Sequence, residues 1–406
     1  MQSPPSSPAL NTPPSGMGRD LWLLTLAQGL FMTNNITFLA INGLVGLSLA
    51  PWGWMATLPV MGYVLGGALS TGLVARSQRR WGRRGAFQSG LAVAFAACLL
   101  CALAVSLHDF WLLVAATVVA GYYSANAGLY RFAAAELAAP AFKEKAVSLV
   151  LAGGLLGAIA GPNLAVATRE LGSRPFLAAY LALAALALLS LAVVSAIRFP
   201  APPAAATHGT GRPLAVIVRQ PVFIVAAIGS ALGFGVMNLL MAATPIAMQV
   251  CGFAFDRTAF VLEWHVIGMF APGFFTGHLI RRFGVRTIMG VGLALNLLCV
   301  AVALAGLEFE HFLIALFALG VGWNFLFTGG TTLALQAYRP EEKDKAQGAL
   351  NFCVFAVTAL SAFGAGAMMM NTQGWFWLNV GALVPMLAIG VALVVMHTGD
   401  KKPRPA

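Results

Sequence analysis

Charge is scarce in this sequence. Only 9% of the 406 residues are Asp, Glu, Lys or Arg, against roughly 25% in a soluble domain. With 59% of residues hydrophobic and a mean hydropathy of +0.83, there is too little polar surface to coat a water-soluble core. That excludes a soluble enzyme, a nucleic-acid-binding module and a disordered scaffold. Acids are scarcest, with 13 Asp and Glu against 24 Lys and Arg. In a soluble chain the +11 charge would point to nucleic acid; in one this apolar it reports loops on the cytoplasmic face of a membrane, so the expected partner is the lipid bilayer and no nucleic acid. Five cysteines lie in or beside apolar runs, which excludes a disulfide framework. No nucleophile–base set, phosphate loop or hydrophilic domain is present to host catalysis.

What the chain has instead is long apolar runs. Twelve are long enough to cross a bilayer as helices: approximately 21–44, 53–75, 86–107, 110–132, 146–168, 176–197, 221–250, 258–280, 287–307, 312–336, 347–370 and 375–396. The Pro/Ser-rich residues 1–20 cannot build a core and read as a disordered tail. They lack the basic start of a signal peptide. Placing both termini in the cytoplasm puts 21 of the 24 Lys and Arg on that side and leaves only Arg169, Arg174 and Arg257 outside. A wrong span count would scramble this asymmetry.

The halves repeat. Arg80-Trp81-Gly82-Arg83-Arg84 returns as Arg282-Phe283-Gly284-Val285-Arg286, 202 residues later, each between the second and third helix of its half. Glu144-Lys145-Ala146 returns as Asp344-Lys345-Ala346, 200 residues later, each opening a fifth helix. The expected organisation is a tail (1–20), a six-helix half (21–198), a Pro/Ala/Gly-rich cytoplasmic linker (199–220), a second half (221–397) and a tail (398–406). Parallel repeats of this kind place a substrate site between the halves. The stretch Gly277-His278-Leu279-Ile280-Arg281-Arg282-Phe283-Gly284-Val285-Arg286 resembles the loop signature of the major facilitator superfamily. Arg281 stands where that signature has Asp, and the first half, with Arg80, Gly82, Arg83 and Arg84, also lacks the Asp. The resemblance implies an all-α membrane protein of twelve spans in two pseudo-symmetric halves.

Ionisable groups inside the spans are few, and each is a functional candidate. Arg131 and Glu136 lie near the cytoplasmic end of the fourth span and read as a local ion pair or a gate contact. Glu263 faces water at the outer start of the eighth. Asn34, Asn35, Asn126, Asn163, Asn238, Asn324 and Asn351 can glue helices or line a cavity. No central acid marks a proton site, which weakens a drug-efflux reading.

Two helical pairs stand out. Met237 and Met241 are four apart on the seventh span, and His265 and Met269 are four apart on the eighth, so each pair shares one helix face. The spans run in opposite directions and bring the pairs to similar depth. Thioethers and an imidazole suit Cu(I). Methionine is equally a gap-filler in apolar cores, so spacing alone leaves metal binding and packing both open. Met248 and Cys251 continue the face of the seventh span outward as a candidate metal entry path or as packing. The pairs, with residues 272–284 and 320–333, resemble a small family of the superfamily, the CcoA-like transporters, which includes copper importers and riboflavin transporters. That resemblance implies Cu(I) as the transported substrate, held by Met237, Met241, His265 and Met269 and carried inward across the inner membrane for haem–copper oxidase assembly. It also implies delivery to a cytoplasmic copper chaperone or exporting ATPase, with no prosthetic group. The alternative is a facilitator of an organic solute such as riboflavin, with Trp22, Tyr122, Tyr123, Tyr130 and Trp323 as stacking candidates, or an efflux carrier.

Overall fold

A computed structural model describes residues 18–52, 55, 58–169, 171, 174–200, 211–369 and 373–399. The expected tail 1–20 falls largely outside these residues, as do residues 201–210 of the linker and most of 398–406. In chain order the helices are α1 (Arg19–Leu49), α2 (Leu58–Leu107), α3 (Phe110–Ala127), α4 (Tyr130–Leu137), α5 (Lys143–Ala152), α6 (Gly154–Thr168), α7 (Leu177–Ser195), α8 (Leu214–Val218), α9 (Pro221–Val250), α10 (Phe255–Phe270), α11 (Gly273–Phe283), α12 (Val285–Ala305), α13 (Phe309–Ala334), α14 (Lys343–Met369) and α15 (Gly374–Gly399). The described residues contain no strand, as expected where hydrocarbon offers an unpaired backbone group no partner.

Nine helical stretches among the described residues are long and apolar enough to cross a membrane. One of them, α2, is two helices meeting at Gly82. With the broken pair α10–α11 and with α14, the element order accommodates the twelve expected spans. Several spans are not the continuous rods that hydropathy suggests. The fourth is interrupted between α3 and α4, and the fifth at Gly153 between α5 and α6. The eighth breaks at Ala271-Pro272, because Pro272 has no N–H to offer the carbonyl four residues back. The neighbouring Met269 carbonyl takes the Asn324 side-chain amide instead (2.6 Å).

The repeat seen in the sequence recurs in the backbone. Gly82 (φ 66°, ψ −176°) and Gly284 (φ 86°, ψ 149°) both occupy a region open essentially to glycine alone. Each makes the sharp turn between the second and third helix of its half. These turns mark one end of the bundle, called the basic end below. The halves also pack pseudo-symmetrically, with α14 of the second half against α2 of the first and α5 of the first against α11 of the second.

Small residues set the depth of that packing, as in other membrane bundles. A Cβ on Gly277 would sit 2.6 Å from the Glu144 carbonyl oxygen, and one on Gly273 would sit 2.8 Å from that of Ser148. Ser148 Oγ bonds the Gly273 carbonyl and accepts from the Gly277 amide (3.0 Å). The end of the linker is clasped to the start of α14. Arg212 donates to Glu342 through Nη2 (2.6 Å), Nε (2.9 Å) and its backbone amide (2.7 Å), and Lys345 bonds the Arg212 carbonyl. These donors, with the Arg339 amide, hold the Glu342 carboxyl down at about 2.

Candidate functional site

Where the halves meet, an aromatic layer rests on a polar seal. The layer belongs mainly to α13, which is buried along most of its length. Trp323 and Phe327, one turn apart, stack with centroids 5.0 Å apart and planes at 15°. Phe234 of α9 meets both edge-on (5.6 and 5.5 Å), and Phe270 meets Trp323 (5.8 Å). This cluster joins the halves, because Ala135, Val147 and Leu151 of the first pack in it with Met237, Met269 and Val354 of the second.

Toward the basic end the contacts turn polar. Arg131 of α4 lies over the Phe327 ring (4.2 Å) and donates to Asn351 Oδ1 of α14 (2.8 Å). Asn351 in turn donates to the Ala125 carbonyl (3.2 Å). One layer further, Arg83 is buried beneath the Gly82 turn. It donates to Glu136 through Nη2 (2.6 Å) and Nε (3.1 Å), to Gln347 (2.7 Å) and to Gln78 (3.2 Å), with Asp344 at 4.0 Å. Lys343 adds a second cation to Glu136 (3.0 Å). Arg83, Gln78 and Glu136 come from the first half, and Gln347, Asp344 and Lys343 from the second. The network therefore holds the halves together at the basic end. Charge-assisted bonds in such a shielded place are the strong kind.

The expected Arg131–Glu136 ion pair is not formed: Glu136 is taken by Arg83 and Lys343, and Arg131 faces an aromatic ring and an amide. Of the loop residues, Gly277 makes the close approach to α5 and Arg281 lies over Phe142 (5.4 Å). Arg84 donates to the Ser195 carbonyl (2.6 Å), and Arg282 lies over Phe283 (5.2 Å). Arg80 is exposed and Arg286 half-buried.

The four soft candidates occupy two settings. Met237 and Met269 are buried in the cross-half cluster, with Met241 at its half-buried edge. His265 is fully buried where α10 docks on α13. Its Nδ1 lies 2.7 Å from the Leu316 carbonyl, and its Nε2 meets no hydrogen-bond partner among the described residues. That docking is glycine-mediated, since a Cβ on Gly268 would sit 2.9 Å from the Phe317 carbonyl oxygen. α9 packs chiefly on α13, α14 and α15, and α10 chiefly on α13. The seventh and eighth spans thus meet largely through a third helix. Met248 is buried among Val261, Phe312 and Leu316, while Cys251 is exposed at the end of α9.

The sequence profile of the Major Facilitator Superfamily matches residues 21–271 and 258–406. The chain belongs to the Major Facilitator Superfamily. Among relatives within the superfamily, riboflavin transporter RfnT of Brucella anthropi is 37% identical over 386 residues, covering 94% of this chain and 96% of that protein. The uncharacterised transporter YdeG of Bacillus subtilis is 26% identical, covering 92% and 91%. In fold, the chain is similar to a bacterial homologue of the iron transporter ferroportin in an outward-facing state (TM-score 0.73, 16% identity, 94% of this chain and 100% of that one). It is equally similar to the human organic anion transporter MFSD10 (TM-score 0.73, 13% identity, 91% and 99%).

Within this superfamily fold the stacking candidates separate. Trp323 alone reaches the cross-half layer. Tyr123 and Tyr130 pack against Phe31 inside the first half, Tyr122 bonds Ser77 (2.7 Å), and Trp22 is exposed on the bundle surface. The asparagines act as glue: Asn34 reaches the Leu183 carbonyl (3.3 Å), Asn126 the Ala86 carbonyl (2.7 Å) and Asn238 Ser361 (3.0 Å). Phe234, Phe270 and Phe327 escaped the sequence reading, as did Gln78, Gln347 and Ser148. The one signal available was the repeat, which put Asp344 at the head of the helix that closes the seal.

Proposed function

We propose that this protein is an alternating-access carrier of a flat organic solute of the riboflavin class. The observation that carries the reading is the end-to-end 37% identity to a riboflavin transporter. The aromatic layer at the waist supports it, because a conjugated ring system binds best against offset or edge-on aromatic faces. The positive-inside asymmetry supports a cytoplasmic basic end, which makes the Arg83 network the cytoplasmic gate, closed in this state. Rocking of the halves, with separation at Arg83–Gln347, Arg131–Asn351 and Ser148–Gly273, would open the site inward. The membrane we assign is the inner one. The test is uptake of labelled riboflavin in a strain lacking its own transporter. Uptake that depends on the intact chain and falls on Phe327→Ala supports the reading; none above the vector control refutes it.

A second reading, Cu(I) import, rests on one structural observation: His265 Nε2 is buried with no partner while two candidate thioethers share a buried cluster. Copper accumulation that His265→Ala with Met269→Ala leaves unchanged ends it. Accumulation that falls while riboflavin uptake persists favours it.

A further inference from the structure

Two buried cations stand in the seal, and only one is neutralised. Arg83 has Glu136, Asp344, Gln78 and Gln347 around it. Arg131, 4% exposed, makes no ion pair among the described residues. Its guanidinium lies over Phe327 (4.2 Å) and Phe132 (4.9 Å), Nη2 donates to Asn351, and Nε is buried with no acceptor. Ring faces and one neutral amide cover such a charge only in part. A second orphan donor bears on the same aromatic ring. The indole Nε1 of Trp323, 3% exposed, also lacks an acceptor among the described residues, and Trp323 stacks on the Phe327 ring. Buried donors left open cost free energy unless something fills them.

The two donors come from opposite halves, Arg131 from the first and Trp323 from the second, so a group accepting from both would be sensed by both moving parts. We propose that Arg131 and the Trp323 indole N–H form the polar end of the solute site. They take an acceptor-bearing edge of a flat heterocycle, which for a flavin is the pair of carbonyl oxygens on its pyrimidinedione ring. The proposal rests on the riboflavin-class reading above. The two oxygens flank the ring N–H, so the planar guanidinium takes one of them in the plane of the ring, in a way a lysine does not, and the indole N–H takes the other. Phe327 and Trp323 set the plane of the ring, and the opposite, methylated edge of the flavin points away from the seal.

The test uses full-length protein in lipid nanodiscs and reads binding by quenching of flavin fluorescence. Four probes are compared: riboflavin, its 2-thio and 4-thio analogues, and an analogue altered at the 8-position of the methylated edge. Sulfur is a poor acceptor, so the wild type should bind the thio analogues about ten- to a hundred-fold more weakly than riboflavin, the worth of one bond from a charged donor. The 8-altered analogue should bind nearly as well as riboflavin. In Arg131→Gln the preference for riboflavin over the thio analogues should shrink to the part the Trp323 N–H supplies, whereas a merely structural role would weaken all probes alike. Arg131→Lys, which keeps the charge without the planar group, should lose part of the discrimination. A wild type that does not discriminate overturns the proposal without need of any variant. Discrimination undiminished in Arg131→Gln overturns it too, while the riboflavin reading stands. A wild type that binds no riboflavin ends both.

Discussion

Replacing Glu136 by Gln should open the basic end. In the closed arrangement Arg83 is buried, its side chain 2% exposed, and both of its shortest carboxylate contacts go to Glu136. Removing one partner of a buried pair costs about 3–5 kcal/mol. Two features reduce that here. The Glu136 side chain is 22% exposed, and Asp344 stays 4.0 Å from Arg83. A net loss of about 2–3 kcal/mol from the closed state remains. At 1.4 kcal/mol per factor of ten, that moves the closed-to-open ratio about 30- to 150-fold. The assay is a distance distribution by pulsed electron resonance between nitroxides at Arg80 and Arg282, both exposed and related by the repeat. Glu136→Gln should add a longer-distance population, and Arg83→Gln should add one of similar size. The double variant Arg83→Gln with Glu136→Gln should fall short of additivity by more than about 1 kcal/mol. An unchanged distribution, or full additivity, would refute the gate.

Four further outcomes follow from the same geometry. Gly284→Ala meets open space but a backbone region costing about 1–3 kcal/mol for other residues, so the unfolding midpoint in detergent should drop by a few degrees, and Gly82→Ala should behave alike. Gly277→Val thrusts a side chain into the α5 backbone and should lengthen the Arg80–Arg282 distance while leaving total folded protein within twofold. Glu342, held down at about 2, stabilises the linker clasp above the ordinary glutamate range near 4.3 and loses that contribution as pH falls toward 2. A nitroxide at exposed Leu214 should therefore stay immobile from pH 7 to about 4 and loosen below, whereas in Glu342→Gln its mobility should not depend on pH. Asn324→Leu removes the donor that serves the Met269 carbonyl at the α10–α11 break and should cost about 1–3 kcal/mol of stability, read by thermal unfolding.

The spans and their repeat were legible in the sequence because hydrocarbon imposes one rule on every residue inside it. The paired turns at Gly82 and Gly284 were legible because each half needs the same sharp reversal. The seal was not. Arg83 meets Gln347 across 264 positions and Arg131 meets Asn351 across 220, and nothing local records such pairing. Proximity in sequence misled at Arg131 and Glu136, where a contact between halves wins over a neighbour five residues away. The soft residues were visible, but matching depth on adjacent spans says nothing of a third helix between them. His265 turned to α13 because Gly268 and Gly320 let those two backbones close.

The interruption at Ala271-Pro272 divides one crossing into two mechanical pieces. α11 carries the glycines that grip α5, and α10 carries His265 into a different helix. A proline between them removes a rung that would make the crossing a single stiff lever, and Asn324 pins the joint from the side. The piece at the basic end can thereby part from its partner while the other piece stays seated, so opening one end need not disturb the packing at the other.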